Sequence, residues 1–330
     1  MALKLLEAHV AEDRKGEALA ALEPYSEQIW TEGGGRFGVI VRAVVGGERS
    51  GVAVDELHAQ VAERGPLMIL VESLDAVVPR PRAHRAEHRA EALHSSAAVS
   101  REEVYASIAD SAKLHRHYLT LVVLAAIVAG IGLARDNTAA VIGAMVVAPL
   151  LGPNMAIALG IVLGDMPLVR RALVTAGAGF ALTLVFAIGL GVVLAADPST
   201  PELASRTEVS VWDLVLALAA GCAGALAFTS GAPTYLTGVM VAVALLPPTV
   251  ASGMLISAGD FEGAVAALLL AFGNVTAVTL AAILTFAWRG MRPRNWWLEE
   301  HAKSTARTGI AVFVGLLTLL AAIIVFAGAR

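Results

Sequence analysis

The sequence predicts an α-helical polytopic membrane protein with about seven spans in an inverted 3+3 repeat, preceded by a soluble α+β domain of ferredoxin-like type. Three observations predict it. The 330 residues are 57% hydrophobic and only 16% charged, with a mean hydropathy of +0.71, whereas soluble domains are about half apolar and a quarter charged. The charge is also unevenly spread. Residues 1–117 hold most of the Lys, Arg, Asp and Glu, and from Tyr118 onward Ala, Val, Leu, Ile and Gly dominate, which means at least two domains. Finally, a stretch of the apolar part recurs at an offset of 95 residues.

Residues 1–80 alternate short elements. Leu3–Val10 reads as a strand, Arg14–Leu22 as a helix stopped by Pro24, and Gln28–Glu32 and Arg36–Val45 as strands joined by Gly33-Gly34-Gly35. Val54, Leu57, His58 and Val61 recur at spacings of three and four, so Val52–Arg64 is an amphipathic helix ended by Gly65-Pro66. Leu67–Val78 is a last strand. The order βαββαβ is that of a ferredoxin-like domain, which by itself gives no function.

Residues 81–117 hold a polar linker and an interfacial helix. Ser100 with Glu103 forms a capping box, and Val104, Ile108 and Ala112 make an apolar stripe. The helix closes on Lys113-Leu-His-Arg-His-Tyr118, a basic and aromatic edge of the kind found at membrane surfaces. A plain connector helix is the alternative.

Seven spans follow, at about 118–134, 137–164, 172–196, 211–229, 233–258, 263–288 and 308–329. Arg170, Arg171, Arg289, Arg292, Arg294, Lys303 and Arg307 flank one set of span ends; Asp197, Glu202, Arg206, Glu208, Asp260 and Glu262 flank the other. The basic side is cytoplasmic by the positive-inside rule. The chain is therefore expected in the cell (inner) membrane, N-terminus inside and C-terminus opposite. Residues 1–25 lack the apolar core of a signal peptide, so the first span is expected to direct insertion.

Residues 143–165 (GAMVVAPLLGPNMAIALGIVLGD) align without a gap on 238–260 (GVMVAVALLPPTVASGMLISAGD), with ten of 23 positions identical. Pro153/Pro248, Gly164/Gly259 and Asp165/Asp260 are among the shared pairs. The offset carries spans one to three onto four to six. Three spans per copy invert the second, an arrangement common among transporters.

Pro149, Gly152 and Pro153 sit near the middle of span two, and Pro247 and Pro248 near the middle of span five. Each proline removes a backbone donor, and freed carbonyls at membrane depth persist only under protein cover or beside a wet cavity. A helix restarting after each break would aim its amides at a ligand, with Asn154 and Thr249 as side-chain partners. Simple proline kinks are the alternative.

The run from Ser100 to Asp165 and the later LTGVMVAVALLPPTVASG (236–253) resemble the hydrophobic proteins grouped as domain of unknown function 389. The likeness covers roughly 100–285. It implies a multi-span membrane protein and, through members with an N-terminal domain, accommodates the soluble region. It implies no activity.

Within the spans the one Asp, Glu, Lys, Arg or His is Asp213, at an end, which argues against a buried coupling carboxylate and for a site of hydroxyls, amides and backbone. Ser252 and Asn274 are the further candidates, with Ser257, Thr276 and Thr279 behind them; helix–helix hydrogen bonding is their other reading. Asp165 and Asp260 read as gates or as caps of the next helix. His84 and His88, with Glu87 or Glu91, have a helical metal spacing, but no second cluster joins them, so no metal and no cofactor is expected. His115 and His117 fall on opposite faces of any helix and form no chelate, leaving a pH-sensitive pair as their other reading. Cys222 is the single cysteine, and the net charge of −4 offers no nucleic-acid footprint. No phosphate-cradle or nucleophile motif occurs, so no enzyme is expected. Glycines 177, 179, 189, 191, 221 and 224 suit close helix packing.

These features lead to the expectation of a transporter or channel-like permease for a small solute or ion, seated in the lipid bilayer, with a regulatory or assembly domain and a homo-oligomeric state. A membrane-anchored sensor or scaffold is the rival.

Overall fold

The structure is a computed structural model that describes residues 3–34, 36–62, 65–74, 101–208, 210–230, 234–291 and 296–328. The chain divides between Val104 and Tyr105 into two compact units. His84, His88 and Ser100 lie outside the described residues.

In the first unit β1 (Leu3–Ala11), α1 (Lys15–Leu22), β2 (Ser26–Gly33), β3 (Gly38–Gly46), α2 (Ser50–Leu57) and β4 (Met68–Leu74) follow in the expected order. The sheet is antiparallel with strand order β2-β3-β1-β4. Period-two alternation sends Leu6, Ala8 and Val10 of β1 and Val41, Ala43 and Val45 of β3 into one core, closed by Ala18 and Leu22 of α1 and Ala53 and Leu57 of α2. Residues on the other face carry charge: Arg42 reaches Glu7 at 2.5 Å and also pairs with Glu32. Lys4, nearly buried, pairs with Glu103. The second helix is shorter than its pattern predicts. It ends at Leu57 and widens into a π-helical turn over His58–Ala62.

The remaining helices are α3 (Arg101–Ser111), α4 (Arg116–Ala134), α5 (Thr138–Val147), α6 (Leu151–Leu163), α7 (Met166–Leu194), α8 (Pro201–Ala204), α9 (Val211–Ser230), α10 (Thr234–Ala258), α11 (Phe261–Trp288) and α12 (Trp296–Gly328). Among the described residues five of them contain a stretch long and apolar enough to cross a bilayer: α4, α7, α9, α11 and, over Ser304–Ile323, α12. The bent pair α5–α6 makes a sixth. The span expected at 233–258, α10, enters only through Leu245–Ala258, which is too short to qualify alone. Val185, Val192, Val193, Trp212, Phe261 and Trp288 are exposed, as lipid-facing and interfacial side chains are in a multi-pass membrane protein.

Helices α4 and α7 run side by side in the same direction. Near their starts the Tyr118 hydroxyl donates to the Thr175 carbonyl at 3.1 Å, and farther along Leu190 packs against Gly130. At the starting end the Tyr105 hydroxyl donates to Asp165 at 2.6 Å. At the far end the Glu202 amide donates to Asp136 at 3.1 Å, and the Thr138 hydroxyl bonds the Glu202 carboxylate. So α5 begins at one end of the bundle and α6 finishes at the other. The α5–α6 pair traverses the bundle with a bend of 50° rather than returning to the end it entered.

The two proline segments behave differently, contrary to the expected pair of breaks. Ala148 is extended (φ −68°, ψ 118°), as the residue before a proline prefers, and Pro149 lies in the gap between α5 and α6. Pro153 is the third residue of α6, where a missing N–H leaves no helical carbonyl unpaired. In α10, by contrast, Pro247 and Pro248 sit inside one continuous helix. The counterpart of Pro149 at the offset of 95 is Ala244, so the residue that opens the first copy is absent from the second. The proline φ is itself helical, and the pair in α10 removes two hydrogen bonds without ending the helix.

Candidate functional site: a cavity between the paired motifs

Asn154 and Thr249, paired in the alignment at the offset of 95, line one cavity of about 340 Å³. α6 contributes Asn154 and Ile157, and α10 contributes Leu245 and Thr249. α4 supplies Tyr118, while α7 supplies Phe180 and Thr183. Phe272 of α11 closes it, its ring 5.2 Å from that of Phe180 in a tilted pair.

The polar groups of this cavity are turned on the backbone. Asn154 Nδ2 donates to the Leu150 carbonyl at 3.0 Å, and Thr249 Oγ1 to the Leu245 carbonyl at 2.9 Å. Thr183 Oγ1 donates to the Gly179 carbonyl at 2.8 Å, and the Tyr118 hydroxyl is engaged by Thr175. The three hydroxyl hydrogens and one of the two Asn154 amide hydrogens are committed within the fold, while hydroxyl and amide oxygens retain lone pairs. The walls are otherwise apolar, and the lining holds no Asp, Glu, Lys, Arg or His.

The other predicted residues separate. Pro149 and Gly152 line a second cavity of about 400 Å³, with Ser107, Asp110, His115 and His117. Gly152 stands so close to Ser111 that a Cβ there would lie 2.5 Å from it. Pro153, Pro247 and Pro248 are buried in their helices. Ser252 donates to the Ala264 carbonyl at 2.9 Å, an interhelical bond that ties α10 to α11. Asn274 is buried in α11 and, like Ser252, lies off the cavity lining. The His115 and His117 rings lie closer than the helical reading allows, stacked at 6.3 Å, because His115 is the extended residue before α4 rather than part of it.

Asp165 and Asp260 are helix caps. Asp165 Oδ1 accepts from Leu168 N at 3.0 Å and Asp260 Oδ1 from Gly263 N at 2.9 Å. Each follows a left-handed glycine, Gly164 (φ 71°) and Gly259 (φ 82°). Each aspartate amide returns to a carbonyl five residues back, Gly160 at 2.8 Å and Leu255 at 3.0 Å, the closing bond of a Schellman motif. Asp165 does one thing more: its hydrogen bond pushes the Tyr105 phenol up to about 12, helped by burial.

Tyr118 reads in the sequence as part of the basic and aromatic membrane edge, and Thr183, Phe180 and Phe272 escaped the sequence reading. A lone aromatic or threonine in an apolar run looks like core, and only Asn154 and Thr249 carried a signal, their equivalence across the repeat. Among the described residues no cluster of three metal-ligating side chains forms.

A family model described as "Domain of unknown function (DUF389)" matches residues 145–280, from the end of α5 into α11. The chain is also similar to the Uncharacterized protein MJ0678 of Methanocaldococcus jannaschii, 34% identical over 226 residues that cover 68% of this chain and 71% of the relative. No solved structure matches.

Proposed function

The chain belongs to the DUF389 family, whose description names no activity, and from that premise we propose a membrane permease, carrier or channel-like, for a small uncharged solute. The observation that carries the reading is the meeting of Asn154 and Thr249 in one cavity. Two residues 95 positions apart come together there, each bonded back to the carbonyl four residues earlier. Acceptor oxygens in apolar walls suit a solute that donates hydrogen bonds and carries no charge. A bare ion would need more oxygen ligands or a counter-charge than this lining provides.

The inverted repeat is part of the proposal. It is supported by the matched Gly-Asp caps, and by Ile108 and Leu203, which share the offset and are both fully buried. Packing supports it too: α6 lies against α11 as α10 lies against α7, and α4 against α7 as α9 against α11. In this reading the basic ends are cytoplasmic and the sheet domain is a ferredoxin-like regulatory or assembly element, consistent with its strand order. Its edge strands β2 and β4 provide surfaces for a second copy.

The test is uptake by vesicles containing the purified full chain, over a panel of uncharged solutes with a potassium arm. Thr249→Val and Asn154→Leu are expected to lower solute flux roughly tenfold, the worth of about one hydrogen bond. Thr285→Val, whose hydroxyl bonds the Ala281 carbonyl within α11 with neither residue on the cavity lining, is expected to leave flux unchanged. Absence of flux across the panel, or equal flux in all three variants, would sink the proposal.

A further inference from the structure

A third, larger concavity opens beside the start of α7, with a volume of about 740 Å³. Lys113, Arg170 and Arg171 supply its charge, and Leu114, Met166, Pro167 and Val174 its apolar wall. Met166 is 49% and Val174 60% exposed, unusual for apolar side chains beside three cations unless something amphipathic covers them. Lys113 is partly neutralised by Asp110 at 2.8 Å, and it holds that carboxyl below its usual range. Arg170 and Arg171 make no ion pair among the described residues.

The backbone adds nothing to bind an anion here. The first amides of α7 are already taken: Leu168 N by the Asp165 side chain and Val169 N by the Asp165 carbonyl, while Pro167 has none. The Thr175 hydroxyl is likewise bonded to the Ala112 carbonyl at 2.7 Å. Any anion must therefore be held by the side chains of the three cations. We propose that this concavity binds the headgroup of an anionic phospholipid. The phosphate sits between Arg170, Arg171 and Lys113, and the acyl chains run over Leu114 and Val174.

Charge complementarity calls for an anion, and the apolar wall selects a phospholipid over a soluble phosphate, because a free anion has no use for that wall. The site is also one-sided. At the offset of 95 the counterparts of Lys113, Arg170, Arg171 and Pro167 are Glu208, Val265, Ala266 and Glu262. The matching place at the other end of the bundle thus carries carboxylates and would repel the same lipid.

Native mass spectrometry of the detergent-solubilised full chain, titrated with phosphatidylglycerol or phosphatidylcholine of equal chain length, tests it. Phosphatidylglycerol should be retained preferentially. The double variant Arg170→Gln/Arg171→Gln should weaken retention about 30-fold, at the usual worth of a basic residue beside an anionic lipid. Arg170→Lys/Arg171→Lys should restore most of it, which separates charge from folding, and Arg135→Gln, at the other end of α4, should change nothing. Equal retention of the two lipids, or undiminished retention in the glutamine variant, overturns the proposal. So does displacement by millimolar inorganic phosphate, which would assign the site to a soluble anion.

Discussion

Replacing Gly221 by alanine is the sharpest test of how the membrane helices are held together. A Cβ at Gly221 on α9 would stand 2.4 Å from the Val278 carbonyl oxygen, 2.8 Å from Val278 Cα and 2.9 Å from Ala281 Cβ, all on α11. Ordinary contact begins at 3.4 Å, so the nearest atom must retreat by about 1 Å, and two of the three obstacles are backbone that no rotamer change can move. Overpacking of this kind costs about 1–3 kcal/mol. The intrinsic gain of Ala over Gly in a helix, about 1 kcal/mol, opposes it. Gly189 on α7 is the control, because nothing lies within 4 Å of its added Cβ and only the gain should remain. Gly221→Ala should therefore be less stable than Gly189→Ala by about 2 kcal/mol, read as the difference in unfolding midpoint of the full chain in one detergent. Equal midpoints, or a more stable Gly221→Ala, would refute the backbone contact as the determinant of the α9–α11 approach.

Two further outcomes follow from the caps. Asp260→Ala removes one side-chain bond to a first-turn amide and should cost about 1 kcal/mol, whereas Asp165→Ala removes the same cap and the Tyr105 bond as well and should cost about 2 kcal/mol, with Asn restoring the cap at both sites, as thermal unfolding will show; an effect at one site alone would break the equivalence of the caps. Tyr105 should ionise near 12 rather than at its usual 10.0, so the absorbance step lost in Tyr105→Phe should be the late one. The sign is fixed by the raised value. The neutral phenol is favoured in the folded chain, so its contribution to stability is complete below pH 10 and is lost as pH rises toward 12. A lost step centred near 10 would remove the Asp165 bond as its cause.

The N-terminal sheet was legible strand by strand, because period-two alternation in Leu3–Val10 and Arg36–Val45 admits one buried face. The membrane motif was legible too, since prolines and a Gly-Asp pair at fixed spacing survive in a background of interchangeable apolar residues. The unequal fate of the two aligned proline segments escaped although its cause is in the sequence. Pro149 faces Ala244 across the alignment, and only a proline there forces the preceding residue out of the helix. The cavity was half legible: Asn154 and Thr249 stood out as paired polar residues, while Phe180, Phe272 and Thr183 were indistinguishable from filler until helix rotation was known. The glycines divided in the same way. Gly179, Gly191 and Gly221 meet a neighbouring helix, whereas Gly177 and Gly189 meet nothing, and composition alone could not sort them.

The length of α7 has its own consequence. Its 29 residues make a rod of about 44 Å, against a hydrocarbon slab of about 30 Å. At an ordinary inclination of about 20° the slab consumes about 21 residues, leaving roughly eight in surplus. Seated with Leu194 at one surface, the rod would cross the other near Val174. Arg170 and Arg171 then ride on a stiff overhang among the headgroups, their height above the oil fixed by helical rise rather than by any loop.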